Sequence, residues 1–366
     1  MALFKFGESR DVRYINELKN STLPIYIYGH AAFTNWIVTK LKKFGVQISG
    51  FVVDDKYFDG GEKVYKKSAF VTSGEKYFLV VGVERFNNVN PLELQASFKN
   101  CQDVYQFSEL CPFVETITKE FYETHSDKID TVYNALYDDF SKKSYEAYLR
   151  AKIEEDVSKL NGYVIKPQYF FDSEFWKFTD SEILVDGGAF DGDTISDFVE
   201  FTPFLTGGGM IYAFEPDAKN FAKLKLNPAY QKFQDKIKIV NAGLGSKNHL
   251  AKFDSNGNMT SKISEDGANS VQIFSLDEFL AGAPVTIIKM DIEGAEMDAL
   301  RGAAETIKKY LPMLFITIEH KAADHYEIFE FINSVSNEYT FFFRNHSEYL
   351  AVDSVLYAIP KNRLTR

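Results

Sequence analysis

The chain has few cysteines and no long apolar run, and each shortage excludes a class of protein. Its 366 residues include two cysteines, Cys101 and Cys111, and no Cys/His cluster has zinc-ligand spacing. So few cysteines favour a reducing compartment over a disulfide-rich secreted protein. The N-terminus, MALFKFGESRDVRY, lacks the apolar segment of a signal peptide, and no apolar run could span a bilayer. We therefore expect a cytoplasmic protein without a transmembrane segment.

Positive charge is also in short supply. Lys and Arg number 41 against 52 Asp and Glu, which gives a formal net charge of -11. A chain of that sign repels phosphate backbones, and short basic clusters such as residues 40–43 are typical of solvated helix faces. We predict no nucleic-acid partner. Apolar residues at 45% and charged residues at 25% are typical of globular proteins, and the length favours two domains.

Residues 1–115 show a strand–helix–strand pattern, which predicts a small Rossmann-like α/β domain. The predicted strands are 25–28, 46–55 and 77–83. Of the three glycines in a dinucleotide-binding G-x-G-x-x-G turn, only Gly29 is present, with Ala31 and Thr34 in the other places. Asp54 could meet a ribose, but the missing glycines would crowd a pyrophosphate. A structural or acceptor-binding role is therefore favoured over a nucleotide site.

Residues 116–177 form an aromatic connector, helical from about residue 116 to 160. Its aromatic residues indicate helix packing, with a sugar-stacking platform as the alternative. The connector helices could pack within one chain or in a homodimer, and both arrangements stay open.

Residues 178–366 contain a stronger alternation of strands and helices. Five buried strands are followed by two strands without a helix between them, which predicts a closing hairpin and one antiparallel strand in a seven-stranded sheet. The predicted strands are 183–186, 211–215, 237–241, 285–291, 313–319, 339–343 and 355–359.

The first chemically informative stretch runs from Ile183 to Thr194, ILVDGGAFDGDT. A buried strand enters a glycine turn and then a helix, and ligands of such sheets bind outside the carboxyl ends of the strands. Gly187 and Gly188 allow close backbone approach. Asp186 would repel a phosphate and suits the ammonium group of a methionine-type ligand.

A calcium loop is a rival interpretation of the same stretch. Its oxygen ligands would be Asp186, Asp191, Asp193 and Asp197. Gly188 and Phe190 fall on positions that a calcium loop fills with oxygen ligands, so this interpretation is disfavoured.

Acidic side chains also lie at the carboxyl ends of two later predicted strands. Glu215, in YAFEPD, is placed to accept both hydroxyls of a ribose. The stretch IKMDIEGAE ends in Lys289, Asp291, Glu293 and Glu296, and charges there are poorly explained by packing. A metal held by Asp291 and Glu293 is an alternative, for which the sequence shows no third ligand.

Two histidines follow the last strands. His320 ends the fifth predicted strand, and His346 follows the sixth. A histidine at the mouth of the crevice suits general-base chemistry near neutral pH. The alternative for each is a polar surface side chain without a direct role.

Together these motifs resemble the FkbM family of methyltransferases. The resemblance rests on VDGGAFDGDT, FEPD, IKMDIEGAE and the ending around Tyr339, residues 344–346 and 355–358, in family order. It covers about residues 178–360. The resemblance implies the class I methyltransferase fold, S-adenosylmethionine as donor and O-methylation. It also implies acceptors such as sugar hydroxyls of bacterial surface glycans, so we expect a sugar, nucleotide-sugar or glycan acceptor.

The resemblance further implies roles for single residues. Asp186, Gly187 and Ala189 would line the methionine moiety, Glu215 would hold the ribose, and residues 241–243 would lie near the adenine. Gly188, where relatives often have a larger residue, should loosen the turn. The complete predicted donor site is Asp186, Gly187, Gly188, Ala189, Asp193, Thr194, Glu215, Pro216, Asn241, Ala242 and Gly243.

For the transfer step, an acceptor oxygen must lie in line behind the methyl group. Asp291 would sit beside that methyl group, and Asp291 or His320 would take the hydroxyl proton. Glu293 and His346 would position the acceptor. Two other functions stay open: an NAD-dependent enzyme of nucleotide sugars, and a non-catalytic scaffold of glycan assembly.

Overall fold

The structure is a computed structural model that divides into two compact units. The smaller unit comprises Phe6–Leu110 and Ile153–Val157, and the larger comprises Met1–Lys5, Cys111–Lys152 and Ser158–Arg366. The described residues are 2–30, 32–70, 74–83, 91–107, 115, 117–171, 173–254, 262–263, 269–347 and 352–365. Ala31 and Cys111 lie outside them. Within the described ranges, no helix combines the length and apolarity needed to cross a membrane.

The smaller unit is a five-stranded parallel sheet with helices. Its elements are α1 (Arg10–Asn20), β1 (Ile25–Tyr28), α2 (Ala32–Lys43), β2 (Gly50–Val53), β3 (Val64–Lys66), α3 (Lys67–Phe70), β4 (Tyr77–Val81), α4 (Pro91–Ser97) and β5 (Cys101–Tyr105). The strand order is β3-β2-β1-β4-β5. The predicted Rossmann-like fold is confirmed, and β3 and β5 are additional to the three predicted strands.

The turn after β1 is closed by its own packing. A Cβ added at Gly29 would lie 2.7 Å from Cγ1 of Val83 and 2.9 Å from the Gly82 carbonyl oxygen. Asp54 accepts a hydrogen bond from the Tyr28 hydroxyl at 2.7 Å. The described residues of this turn therefore pack against the neighbouring strand end.

The larger unit contains a seven-stranded sheet in the order β15-β16-β14-β13-β6-β7-β8. Its strands are β6 (Ile183–Gly187), β7 (Met210–Phe214), β8 (Ile237–Val240), β13 (Ile287–Met290), β14 (Met313–Thr317), β15 (Tyr339–Asn345) and β16 (Ser354–Pro360). β16 pairs antiparallel with both β14 and β15, and the remaining pairs are parallel. The predicted sheet with one antiparallel strand is confirmed.

Helices cover this sheet because its strands are apolar on both faces. Every residue of β13, β14 and β16 is buried, as parallel sheets require. The helices are α5 (Lys119–Ala135), α6 (Asp139–Ile153), α7 (Asp193–Phe201), α8 (Ala218–Leu224), α9 (Pro228–Lys232), α10 (Leu276–Leu280), α11 (Glu296–Arg301), α12 (Ala304–Tyr310) and α13 (Asp324–Val335). Short 3₁₀ helices cover Asp55–Tyr57, Val157–Leu160, Pro203–Thr206 and Lys361–Arg363.

A second, four-stranded sheet follows β8 and was not anticipated from the sequence. Its strands are β9 (Gly243–Leu244), β10 (His249–Asp254), β11 (Lys262–Ile263) and β12 (Asn269–Phe274), in the order β11-β10-β12-β9. β9 pairs in parallel with β12, and two residues separate it from the end of β8 in the chain.

The helical prediction for residues 116–160 corresponds to α5 and α6. Tyr145 and Tyr148 of α6 are fully buried, as are Ile129 and Val132 of α5. These side chains form core contacts, which agrees with the packing interpretation of the aromatic residues rather than with a stacking platform.

Candidate active site

The carboxyl ends of five parallel strands meet at one edge of the larger sheet. β6 lies between β7 and β13, so the chain leaves β6 in one direction to build β7 and β8 and returns to its other side for β13 and β14. Such a switch point opens a crevice beyond the strand ends. The crevice is therefore bordered by the turns after β6, β7, β13 and β14.

The turn after β6 is tight and requires glycine. Gly188 has a φ of +77°, and a Cβ there would lie 1.9 Å from the carbonyl oxygen of Asp291. The backbone N–H groups of Gly188 and Ala189 both donate to the Phe214 carbonyl, at 3.1 and 3.0 Å. The expectation that Gly188 loosens this turn is wrong, because the turn packs directly against the backbone that follows β13.

A buried ion pair lies beneath this turn. Nζ of Lys289 is 3.1 Å from Oδ1 of Asp186, and it donates to the carbonyls of Gly187 at 3.2 Å and Gly188 at 2.9 Å. The two residues are register neighbours on β13 and β6. Burial lowers the pKa of Lys289, but Asp186 and Asp291 outweigh it, so the net shift is upward and the ammonium form is favoured.

This pair changes the role expected of Asp186. The Asp186 side chain is 0% exposed and its cation is Lys289. The structure therefore does not support the predicted direct contact with a donor ammonium group. Asp186 instead stabilises the turn indirectly, by fixing the lysine that donates to the two glycine carbonyls.

Glu215 occupies the end of β7 as predicted. It is 5% exposed, and its carboxylate oxygens accept hydrogen bonds from the backbone N–H groups of Phe190 at 2.9 Å and Asp217 at 2.8 Å. Burial raises the pKa of Glu215 to about 7, although these two hydrogen bonds act in the opposite direction. Each oxygen keeps a lone pair for a further donor.

The other predicted donor residues border Glu215. The Asn241 side-chain amide donates to the carbonyls of Glu215 at 2.8 Å and Pro216 at 3.2 Å, which joins the ends of β7 and β8. Ala242 and Gly243 are buried behind them. In the turn after β6, Ala189 is fully buried. Asp193 is exposed at the start of α7, and its side chain accepts a hydrogen bond from the Thr194 N–H.

Asp291, Glu293 and His320 come together at the ends of β13 and β14, with Glu296 behind them. We call these four residues the acidic cluster. Nε2 of His320 lies 3.7 Å from Oδ1 of Asp291 and 3.8 Å from Oε2 of Glu293, while Nδ1 lies 2.9 Å from Oε1 of Glu296. Oε1 of Glu296 also accepts from the Ile292 N–H at 2.8 Å. Glu296 thereby fixes the orientation of the imidazole.

Charges within the acidic cluster shift each other's titration. Burial lowers the pKa of His320, but Glu296 and Asp291 outweigh it and the net shift is strongly upward. For Glu296, burial raises the pKa and His320 outweighs it, so the net shift is downward. The two groups therefore stabilise each other's charged forms.

Tyr169 contributes to the site and was missed in the sequence. Its hydroxyl donates to Oδ2 of Asp291 at 3.0 Å, and Nζ of Lys289 lies 5.4 Å from the centre of its ring. Tyr169 has a φ of +63° and is buried. The sequence signal was weak, because Tyr169 belongs to the aromatic connector, for which packing was the favoured interpretation.

His346 does not have the role predicted for it. It is fully buried, its Nδ1–H donates to the Ile165 carbonyl at 2.8 Å, and its Nε2 accepts from the Tyr357 hydroxyl at 2.7 Å. Burial lowers the pKa of His346 to about 3, so the ring is neutral. With both nitrogens occupied in the core, His346 has no free atom with which to position an acceptor.

A family model and one solved structure agree with this architecture. Residues 186–343 match the family model described as Methyltransferase FkbM domain, which confirms the resemblance noted in the sequence. Methyltransferase FkbM from Methylobacillus flagellatus KT is similar in structure, with a TM-score of 0.72 and 21% identity over 96% of this chain and 94% of that chain. An rRNA methylase from Streptococcus thermophilus has a TM-score of 0.29 and 13% identity, over 50% of this chain and 89% of that one. No curated protein matches the chain.

Proposed function

Residues 186–343 match the model of the methyltransferase FkbM domain, and from this premise we propose that the chain is an S-adenosylmethionine-dependent O-methyltransferase. The observation that carries the proposal is the pairing of two groups of side chains across one crevice. Glu215 and the glycine turn lie at the ends of β7 and β6, and the acidic cluster lies at the ends of β13 and β14. One side suits a methyl donor and the other suits a hydroxyl acceptor.

The residues beside the glycine turn fit the donor. Glu215 is a buried carboxylate with lone pairs available to ribose hydroxyls, and its pKa is raised because burial outweighs its two backbone hydrogen bonds and the attraction of Lys289. Ribose hydroxyl donors would stabilise that form. When bound, S-adenosylmethionine supplies an electrophilic methyl group on a sulfonium centre. The chain's own task is then to hold the acceptor oxygen in line with that group.

The acidic cluster supports activation of an acceptor hydroxyl. Oδ2 of Asp291 accepts from Tyr169 and Nδ1 of His320 is paired with Glu296, so the atoms that face each other are Oδ1 and Nε2. Oδ1 of Asp291 can accept the proton of an acceptor hydroxyl, whereas the raised pKa of His320 keeps a proton on Nε2, so we propose Asp291 rather than His320 as the base. Glu293 remains the residue proposed to position the acceptor.

For the acceptor we propose a sugar hydroxyl, on a nucleotide sugar or a glycan, from bacterial surface-glycan biosynthesis in the cytoplasm. The family resemblance supports this class. The partly exposed carboxylates of Asp291 and Glu293 also support it, because carboxylates accept hydrogen bonds from sugar hydroxyls without requiring a charged substrate.

Donor binding and methyl transfer test the proposal separately. We expect S-adenosylmethionine and S-adenosylhomocysteine to raise the melting temperature of the purified chain, and NAD to leave it unchanged, because ligands stabilise the state they bind. Incubation with methyl-labelled donor and a panel of nucleotide sugars and glycans should then label one acceptor at oxygen. Stabilisation by NAD alone would refute the proposal. Donor binding without label transfer to any sugar would refute the acceptor class.

A further inference from the structure

Tyr169 connects the aromatic connector to the residue proposed as the base. Its hydroxyl donates to Oδ2 of Asp291 at 3.0 Å across 122 positions of sequence, and both residues belong to the larger unit. A hydrogen bond from a fixed donor to one oxygen restricts the rotation of the whole carboxylate group. The hydroxyl therefore determines where Oδ1, the other oxygen of Asp291, is directed.

The backbone of Tyr169 has a conformation that tyrosine seldom adopts. Its φ is +63°, in the left-handed region that is unfavourable for any residue with a Cβ. The N–H of Phe170 donates to the Gln168 carbonyl at 2.8 Å, which closes a three-residue turn centred on Tyr169. Such strained positions persist only where the surrounding structure holds them, and they cluster at functional sites.

Core packing of the next two residues holds this turn in place. Phe170 is fully buried, and the centre of its ring lies 4.9 Å from that of Phe198 on α7. Phe171 is also buried, with its ring centre 5.6 Å from that of Tyr357 on β16. These contacts attach the turn both to the helix that follows β6 and to the sheet. The side chain of Tyr169 is therefore placed by the core.

The Tyr169 hydroxyl acts as a donor because it stays protonated. Burial and then Asp291 raise the pKa of Tyr169 well above its usual value, since a phenolate would be desolvated and would face a carboxylate. Nζ of Lys289 lies over the same ring, 5.4 Å from its centre, and also donates to the carbonyls of the glycine turn. Tyr169 thus contacts residues that order both sides of the crevice.

We propose that Tyr169 is a positioning residue of the transfer step, whose hydroxyl holds Asp291 so that Oδ1 receives the proton of the acceptor hydroxyl. This inference rests on the proposed function, in which Asp291 is the base. The proton moves from the acceptor oxygen to Oδ1 of Asp291, and Tyr169 keeps its own proton throughout. Without the hydroxyl the carboxylate would be free to rotate away from the acceptor, which slows the reaction and leaves donor binding intact.

Tyr169→Phe removes the hydroxyl and keeps the ring, so it tests the hydrogen bond by itself. We expect kcat for methyl transfer to fall about 10–100-fold, the range that follows from losing one hydrogen bond to a charged group. The KM of the acceptor and the affinity for S-adenosylmethionine should change by less than about twofold, because the proposal places neither ligand on this hydroxyl. A kcat equal to that of the parent chain would overturn the proposal.

Tyr339→Phe is the matched control for loss of a buried hydroxyl. Tyr339 is 5% exposed and Tyr169 is 4% exposed, and the Tyr339 hydroxyl donates to the Pro312 carbonyl at 3.0 Å. Pro312 precedes β14, at the edge of the sheet opposite the crevice. Both variants should lose similar stability in urea denaturation, whereas turnover should fall only in Tyr169→Phe. Equal losses of turnover would assign the effect to stability and overturn the proposal.

A double-mutant cycle tests whether Tyr169 acts through Asp291. In the Asp291→Asn background, adding Tyr169→Phe should lower the residual turnover by less than about twofold, because the carboxylate that the hydroxyl holds is already lost. A loss as large as in the parent background would show that Tyr169 acts independently of Asp291, and the positioning role would be wrong.

Infrared spectroscopy of the carboxylate separates this inference from the proposed function. The antisymmetric stretch of Asp291, assigned by its absence from Asp291→Asn, should shift in Tyr169→Phe and not in Tyr339→Phe, because a hydrogen bond changes the charge distribution of the carboxylate. An unchanged band would overturn the positioning role whatever the activity of the chain. A shifted band in a parent chain that transfers no methyl group would instead refute the proposed function, while confirming that the hydroxyl holds Asp291.

Discussion

The protonation state of Glu215 should control donor affinity. Glu215 is buried, carries no salt bridge in the described part of the chain, and has a pKa raised to about 7 by burial. A carboxylate can accept hydrogen bonds from both ribose hydroxyls, whereas the protonated acid loses one acceptor position. Because the raised pKa favours the protonated form below neutral pH, S-adenosylmethionine should bind more tightly as the pH rises through 7.

The size of the effect follows from the pKa. With a pKa of about 7, the ionised fraction falls from about nine-tenths at pH 8 to about one-tenth at pH 6. If only the ionised form binds the ribose well, affinity should fall about tenfold across that range. In Glu215→Gln the affinity should lose this pH dependence. It should also be lower at pH 8 by about 1.5–3 kcal/mol, the usual contribution of one hydrogen bond to a charged group.

Isothermal titration calorimetry at pH 6, 7 and 8 measures both quantities. Glu200→Gln is the matched control, because Glu200 is an exposed carboxylate on α7 and should retain the parent pH dependence. Constant affinity across the pH range, or an unchanged slope in Glu215→Gln, would refute the assignment of Glu215 to the ribose.

Four further predictions concern folding and turnover. Gly188→Ala should lower the free energy of unfolding by at least about 2 kcal/mol, because it adds a Cβ 1.9 Å from the Asp291 carbonyl oxygen at a left-handed backbone position. A loss below about 0.5 kcal/mol in urea denaturation would contradict this contact. Lys289→Met leaves Asp186 buried without its cation and should lower the free energy of unfolding by about 3–5 kcal/mol in the same assay. The loss should be smaller in the double variant with Asp186→Asn, because the unpaired charge is then removed. Asp291→Asn and His320→Ala should each lower turnover far more than donor affinity, and near-normal turnover would remove that residue from the transfer step. His346→Phe should destabilise the fold by about 1–3 kcal/mol, since Tyr357 loses its partner, while donor affinity stays unchanged; a selective loss of turnover would restore an active role for His346.

The main sheet could be predicted because its strands are almost continuously apolar. The strand residues of β13 and β14 are buried on both faces, and the sequence shows this as apolar runs that only Lys289 and the terminal Thr317 interrupt. β10 and β12 gave no such signal, because Leu250 is exposed and the first residues of β12 are polar and exposed. β3 and β5 are short edge strands with few apolar residues, so local pattern alone did not reveal them.

The candidate site was only partly predictable for a different reason. Strand-end acids were recognisable because parallel strands bring their carboxyl ends to one edge. The pairing of Asp186 with Lys289 depends on β6 and β13 being neighbours in register, which residues 103 positions apart do not show in sequence. Likewise the sequence motif around His346 gave no indication that the ring lies in the core, where Tyr357 and Ile165 occupy both nitrogens.

The contact between Gly188 and the Asp291 backbone has a thermodynamic consequence. The turn that borders the donor side and the turn that carries Asp291 and Glu293 touch each other without a side chain between them. A ligand that shifts one turn therefore shifts the other. Binding free energies are state functions, so any factor by which S-adenosylmethionine changes the affinity for the acceptor must equal the factor by which the acceptor changes the affinity for S-adenosylmethionine. Reciprocal titrations of the two ligands would measure that common factor as a single coupling free energy.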